Sequence, residues 1–238
     1  MFTTLTESEK QIILGTALGD GCLTKTSRYC HLLITHAKSQ YDYLKWIYDN
    51  LSNIPKPDAL VEHMTTPSYL NGRYIDTHES CYLCTKQHPF FSDVYALLCH
   101  NGKKQITRRY LNLLGPQALA IWWCDDGCCY VNIENRWRGG WFSTQSFSYA
   151  EHQLIKQWFR VIWGIDCKVY ISKHKDISAN KFRLFFNTTN MKRLRKLIYE
   201  YVPQCMKYKV DMHYSDSVLY NVDFLPTRSR IQVVEKKV

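Results

Sequence analysis

Two aspartates stand at the ends of apolar, small-residue runs. Asp20 closes I-L-G-T-A-L-G-D-G (Ile13 to Gly21), and Asp126 closes L-A-I-W-W-C-D-D-G (Leu119 to Gly127). Both runs read as helices ending on an acid. A helix C-terminus carries partial negative charge, so a carboxylate there costs a few tenths to about 1 kcal/mol. If the two helices pack side by side, the two acids meet at their C-terminal ends beside the last helix carbonyls. That anionic cluster calls for a divalent cation. Oxygen ligands with no His or Cys among them favour Mg²⁺, or Mn²⁺ in its place. Such a cation, with waters and substrate phosphates completing its shell, serves phosphodiester chemistry. One such aspartate reads as a polar cap; two at corresponding points of a repeat argue for a shared site.

The elements that must position these acids are punctuated clearly. Thr6 and Glu9 make a T-x-x-E capping box at the first helix, and Gly21 stands where a C′ glycine belongs. Gly15 and Gly19 are one turn apart in that helix. Each costs about 1 kcal/mol relative to alanine, which makes sense if another backbone comes close. Gly115-Pro116 opens the second such helix and Gly127 closes it. Ile121 and Asp125 occupy the places of the two glycines, beside Trp122 and Trp123, so the interface is asymmetric.

After Gly21 the period changes to two. Strands are expected at 22–25 and 29–36, a helix at 39–51, strands at 60–66 and 74–85 around Asn71-Gly72, and a helix at 89–99 closed by Asn101-Gly102. The second half repeats the order: strands at 128–134 and 140–146, a helix at 148–163, strands at 165–173 and 181–187, and a helix at 190–202. Asp20 to Lys104 spans 84 positions and Asp126 to Lys209 spans 83. The chain therefore reads as an internal duplication, with a half at 1–112, a half at 113–212 and a C-terminal extension at 213–238.

Bulk properties narrow the class. The 238 residues can bury real cores. A hydrophobic fraction of 45% with 14% aromatics describes a folded chain. The formal charge of +10 suggests a polyanionic partner. Met1 is followed by no basic region and apolar core of a secretory signal, and no run approaches the length of a membrane span. The ten cysteines are therefore expected as free thiols in a reducing compartment. His78, Cys81, Cys84, Cys99 and His100 raise a zinc site. Cys81 and Cys84, however, lie three apart on an expected strand and point to opposite faces.

The two acid-ended runs resemble the paired motifs of the LAGLIDADG homing endonucleases, of the single-chain, two-motif kind. S-T-Q-S-F-S (Ser143–Ser148), N-G-K-K (Asn101–Lys104) and P-Q-C-M-K-Y-K (Pro203–Lys209) also resemble that family. The resemblance covers about residues 8 to 211. It implies an α+β fold: two αββαββα halves about a pseudo-two-fold axis, forming a saddle of antiparallel sheets with two central helices at the interface. It implies hydrolysis of both strands of a long, specific DNA site across the minor groove, leaving 3′ overhangs, by a monomer. It assigns the metal-binding acids to Asp20 and Asp126. Gly19 and Asp125, which directly precede them, complete the metal neighbourhood; Asp125 takes a place where the family pattern has alanine. It carries the catalytic lysines to Lys104 and Lys209, with Lys103 and Lys207 as near neighbours. It puts the water-orienting polar residue at Gln145 and, in the first half, at His36.

The strand 181–187 alternates Lys181, Arg183, Phe185 and Asn187 against Phe182, Leu184 and Phe186, so one face can pack while the other meets a groove. Lys25, Arg28, Arg136, Arg138, Lys173, Lys175, Lys181 and Arg183 are the expected DNA contacts, each more as a phosphate contact or a solvated charge than as a base reader. The run Lys192, Arg193, Arg195, Lys196 reads as a solvated helix face. Intron RNA is the second expected partner, because a splicing cofactor on this scaffold would be equally basic, as would a catalytically silent DNA binder; the intact acids and lysines favour the nuclease. An organelle or a microbial cytoplasm is the expected location.

Overall fold

The computed structural model describes residues 4–64, 68–70, 73–75, 79–131, 137–172, 181–211 and 231–233. The first half runs α1 (Glu7–Leu18), β1 (Cys22–Lys25), β2 (Cys30–Ala37), α2 (Tyr41–Asn50), β3 (Val61–Met64), β4 (Ser68–Leu70), β5 (Arg73–Ile75), β6 (Glu79–Cys84) and α3 (Pro89–Leu98). A small hairpin, β7 (Cys99–His100) and β8 (Lys103–Lys104), and a short helix, α4 (Arg108–Leu111), lead to the second half. That half runs α5 (Pro116–Asp126), β9 (Gly127–Val131), β10 (Trp137–Phe142), α6 (Tyr149–Trp163), β11 (Lys168–Ser172), β12 (Lys181–Asn187) and α7 (Thr188–Ile198). A 3-10 turn at Gln204–Lys209 and β13 (Ile231–Val233) follow.

The main strands form two antiparallel sheets, ordered β1-β2-β6-β3 and β13-β11-β12-β10-β9. Helices cover one face of each, as the burial of alternate residues requires. On β2 Cys30, Leu32, Ile34 and His36 are buried, and on β12 Leu184 and Phe186 are buried. Among the described residues no helix covers the other face of either sheet. This is the duplicated saddle that the sequence implies.

The seam between the halves is α1 against α5. Small residues let the backbones approach: a Cβ on Gly15 would lie 2.4 Å from the Ala118 carbonyl oxygen and 2.7 Å from the Ile121 Cβ. On Gly19 it would lie 2.2 Å from Asp125 Oδ2. The glycines of one helix are thus sockets for Ile121 and Asp125 of the other. Trp122 and Trp123 are fully buried on the far side of α5, against Phe142 and Phe186. A large apolar side chain buried in this way contributes roughly 1.5–3 kcal/mol.

Several local expectations are corrected. Gly21 and Gly127 do not adopt the left-handed conformation of a C′ glycine. They are small because Thr16 and the Trp123 ring crowd them. Asn101 and Gly102 have φ of 49° and 75°. They form the tight turn between β7 and β8, not the end of α3, which gives way to β7 at Cys99. The strand expected at 140–146 lies earlier, at Trp137–Phe142: the Ser143 N–H still meets the Asp126 carbonyl at 2.8 Å, next in register after Phe142 and Gly127, but the Thr144 N–H turns back to the Phe142 carbonyl at 3.0 Å. Residues 231–233, expected in a surface extension, add an edge strand to the second sheet. Arg195 is not simply solvated: its guanidinium stacks 4.2 Å above the Tyr199 ring and faces Asp211 at 3.7 Å. All ten cysteines are free; Cys81 is buried and Cys84 exposed, on opposite faces as expected. His78 lies outside the described residues, and among those described no Cys/His cluster capable of holding zinc forms.

Candidate active site

The site is built where α1 and α5 end. α1 starts on the expected capping box, with Thr6 Oγ1 accepting from the Glu9 N–H at 3.2 Å and the Glu9 carboxylate accepting from the Thr6 N–H at 2.8 Å. Glu9 also accepts from the Asn53 backbone and side chain at 2.6 and 2.9 Å. Burial raises its pKa, but the hydrogen bonds from Asn53 and Thr6 outweigh it, and the carboxyl falls to about 2. The start of α1 is therefore anchored to the end of α2.

At the other end, matched contacts relate the halves. Lys104 Nζ donates to the carbonyls of Gly19 and, at 3.5 Å, Leu18. Lys209 Nζ donates to the carbonyls of Cys124 and, at 3.2 Å, Asp125. These are the residues just before each acid, so each lysine caps the C-terminus of its own half's central helix, where a cation is favoured. Lys104 is half-buried. Burial lowers its pKa, while the charges of Asp126, Asp125 and Asp20 oppose the fall. The Lys209 carbonyl is itself held, by the Trp123 indole at 3.0 Å and the Cys129 thiol at 2.9 Å.

The acids sit in unlike surroundings. The Asp20 side chain is 43% exposed, and one oxygen lies 3.6 Å from His36 Nδ1. His36 is 5% exposed and buried beside Tyr43, with centroids 5.3 Å apart. Burial pushes the imidazole pKa down, Asp20 pulls it up, and Lys209 adds to the fall. Asp126 accepts from the Trp122 indole at 2.9 Å. Burial, with the charge of Asp20, raises its carboxyl to about 7, against the Trp122 hydrogen bond and the charges of Lys104 and Lys209. Asp125 is half-buried: its Oδ2 accepts from the Asp20 N–H at 3.0 Å and its Oδ1 from the Tyr43 hydroxyl at 2.8 Å.

Asp20, His36 and Asp125 place ligand atoms within 4.8 Å of one another. Asp126 stands outside that trio but close enough for its titration to respond to Asp20. A histidine thus joins a group that the sequence suggested was oxygen alone. Gln145 lies, partly exposed, in the loop after β10. That loop is fixed by the Ser143–Asp126 bond and by buried His152, which bonds Thr144 Oγ1 and the Ser148 carbonyl at 2.8 Å each.

Of the expected DNA contacts, Arg136, Lys173 and Lys175 lie outside the described residues. Arg28, Arg138 and Lys181 are exposed. Lys25 is exposed, but it pairs with Cys30 on the inward face, at the hairpin tip. Arg183 is half-buried on the uncovered face of β12, opposite Tyr170. That face also carries a cluster of Trp141, Tyr170 and Phe185, with ring centroids 4.7 to 5.7 Å apart.

Two site residues escaped sequence reasoning. Trp122 precedes Asp126 by one helical turn, a spacing that would have revealed the contact. Tyr43 is 82 residues from Asp125, and no local signal links them.

Comparison with known proteins agrees with this geometry. The LAGLIDADG DNA endonuclease family matches residues 10–194. Protein RecA of Mycobacterium gastri is 28% identical over 217 residues, covering 87% of this chain and 48% of its own length. The chain thus spans about half the length of the RecA relatives it matches. Probable intron-encoded endonuclease 1 of Wickerhamomyces canadensis is 24% identical, covering 88% of this chain and 86% of its own. The homing endonuclease I-WcaI, solved bound to its DNA recognition sequence, superposes with a TM-score of 0.69 at 21% identity over 88% of each chain.

Proposed function

The chain belongs to the LAGLIDADG DNA endonuclease family, and from that premise we propose that it is a site-specific homing endonuclease. It binds a long double-stranded DNA target, hydrolyses one phosphodiester on each strand across the minor groove, and leaves 3′ overhangs. It acts as a monomer whose two halves, 1–112 and 113–212, each supply one acid and one lysine. The observation that carries the reading is the matched pair of acid and lysine at each central helix end.

The donor set fits a hard divalent cation. Asp20 and Asp126 offer carboxylates, and the Gly19 and Asp125 carbonyls lie beside them. Burial first, and the charge of Asp20 second, raise the Asp126 carboxyl to about 7, and a cation bound there would favour its charged form. Mg²⁺ or Mn²⁺, when bound, supplies Lewis-acid stabilisation of phosphoryl charge. Asp20 and Asp126 hold it. Lys104 and Lys209 bring ammonium groups to the two sites, where they stabilise charge on the phosphate oxygens. His36, neutral through burial, and Gln145 offer polar atoms that orient the attacking water beside Asp20 and Asp126. The uncovered sheet faces, with Arg28, Arg138, Lys181 and Arg183, contact the duplex.

Among the described residues no helix is long and apolar enough to cross a membrane. The relative named as intron-encoded supports an organelle or a microbial cell as the setting.

The test is incubation of the purified chain with a randomised DNA library, with Mg²⁺ and with EDTA, followed by sequencing of the cut ends. Recurrent ends with 3′ overhangs at one long sequence, absent with EDTA, support the proposal. Binding without metal-dependent cutting would leave a DNA or RNA binder on the same scaffold.

A further inference from the structure

We propose that Asp125 is a positioning residue for the Asp20 site, acting across the helix seam on the backbone of that acid, and that it makes the two halves unequal. The proposal deepens the endonuclease reading above and rests on it.

The reason begins with how α1 ends. The Gly19 N–H makes the last regular helical bond, to Gly15 at 3.0 Å. A continuing helix would then bond the Asp20 N–H to Thr16. Instead the Gly21 N–H takes the Thr16 carbonyl at 2.8 Å. The Asp20 N–H is displaced from the ladder. Asp125 Oδ2, from the other half, accepts it at 3.0 Å.

The placement is specific. Gly19 leaves the space into which the Asp125 carboxylate fits. The second oxygen of Asp125 accepts from Tyr43, a fully buried residue on α2. Both oxygens are thus engaged within the protein. The Tyr43 ring also packs on His36, with centroids 5.3 Å apart, so one network fixes the backbone of Asp20 and the imidazole facing its carboxylate. The Asp20 carboxylate itself stays open to solvent.

The other half has no equivalent. α5 continues through Asp126, so the Asp126 N–H stays within the helix. The residue corresponding to Asp125 is Gly19, which has no side chain to offer. Asp126 is restrained through its carboxylate instead, by Trp122. Removing the Asp125 carboxylate therefore loosens Asp20 and leaves the restraint on Asp126 in place.

The experiment uses the full chain and the variants Asp125→Ala, Asp125→Asn and Tyr43→Phe. Single-turnover cleavage is followed with the two DNA strands labelled separately, and Mn²⁺ binding to the DNA-free protein is followed by calorimetry. Loss of a hydrogen bond to this carboxylate corresponds to about 10- to 100-fold in the step it supports. Asp125→Ala is expected to slow one strand by that factor and to change the other less than about threefold. Asp125→Asn should stay within about threefold of wild type, because its amide oxygen accepts from the Asp20 N–H and its NH₂ faces Tyr43. Tyr43→Phe, which keeps the ring, should show the same strand bias more weakly, and covers the case that Asp125→Ala does not fold. Equal slowing of both strands, or of neither, overturns the proposal. So does Mn²⁺ binding weakened as much by Asn as by Ala, which would make Asp125 a ligand. If the wild type cuts no DNA, the endonuclease reading fails, and calorimetry still decides. Binding weakened by Ala and kept by Asn supports positioning, and binding unchanged in both overturns it.

Discussion

Gly15→Ala probes the seam on which the whole site depends. The new Cβ would lie 2.4 Å from the Ala118 carbonyl oxygen and 2.7 Å from the Ile121 Cβ. The first is backbone and the second is the root of a β-branched, fully buried side chain, so neither can swing aside. The two helices must separate. In an isolated helix the exchange gains about 1 kcal/mol. Overpacking a core costs typically 1–3 kcal/mol and occasionally more, and a backbone obstacle places this case at the upper end. The expected net is a destabilisation of about 1–2 kcal/mol. For a chain of this size that is a fall of roughly 2–8 °C in Tm, at about 2–4 °C per kcal/mol. Urea denaturation and scanning calorimetry of wild type and variant measure both. A gain of about 1 kcal/mol would mean that helix propensity alone decides and that the helices are not in this close register.

Further outcomes follow from the electrostatics. Asp126, raised to about 7, must lose its proton to hold a cation, so Mn²⁺ affinity measured by calorimetry should fall about tenfold per pH unit below 7. Its folded pKa lies above the ordinary carboxyl value, so this group's contribution to the stability of the metal-free protein is lost as pH rises from about 4 to 7. Trp122→Phe removes the indole donor, which lowers that pKa, so the midpoint of Mn²⁺ binding should move to higher pH. Glu9→Gln should cost about 1.5–3 kcal/mol at pH 7. Glu9 is depressed to about 2, so its stabilisation is present above about 4.5 and lost below; the difference from wild type in denaturant melts should shrink across that window. Lys104→Met and Lys209→Met should each lower single-turnover cleavage by about 10²–10³, with DNA affinity measured by gel shift changing far less.

What the sequence made legible is what local chemistry determines. The capping box of α1, the alternation of β12 and its bounds, and the end of α5 on Asp126 follow from residue type and period. The spacing of Lys104 and Lys209 from the acids pointed to equivalent positions, and the structure puts both lysines on equivalent carbonyls. Tertiary pairing decided the rest. Asn101-Gly102 carries a turn signal that fits a helix end and a hairpin alike, and only the pairing of Cys99 with Lys104 distinguishes them. α1 stops before Asp20 because Gly21 takes Thr16, and that displacement depends on the crowding around Gly21. The engagement of Asp125 by Tyr43 joins residues far apart in the chain. The family resemblance implies a water-orienting role for His36, and its approach to Asp20 depends on the register of β2 against β6.

The most direct test of the account is the strand-resolved cleavage of the native target by Asp20→Asn and Asp126→Asn in Mg²⁺. The account predicts that wild type makes a double-strand break and that each variant loses it, leaving at most a nick in one strand. Full double-strand cleavage by either variant would contradict the assignment of the two acids as the metal-holding pair.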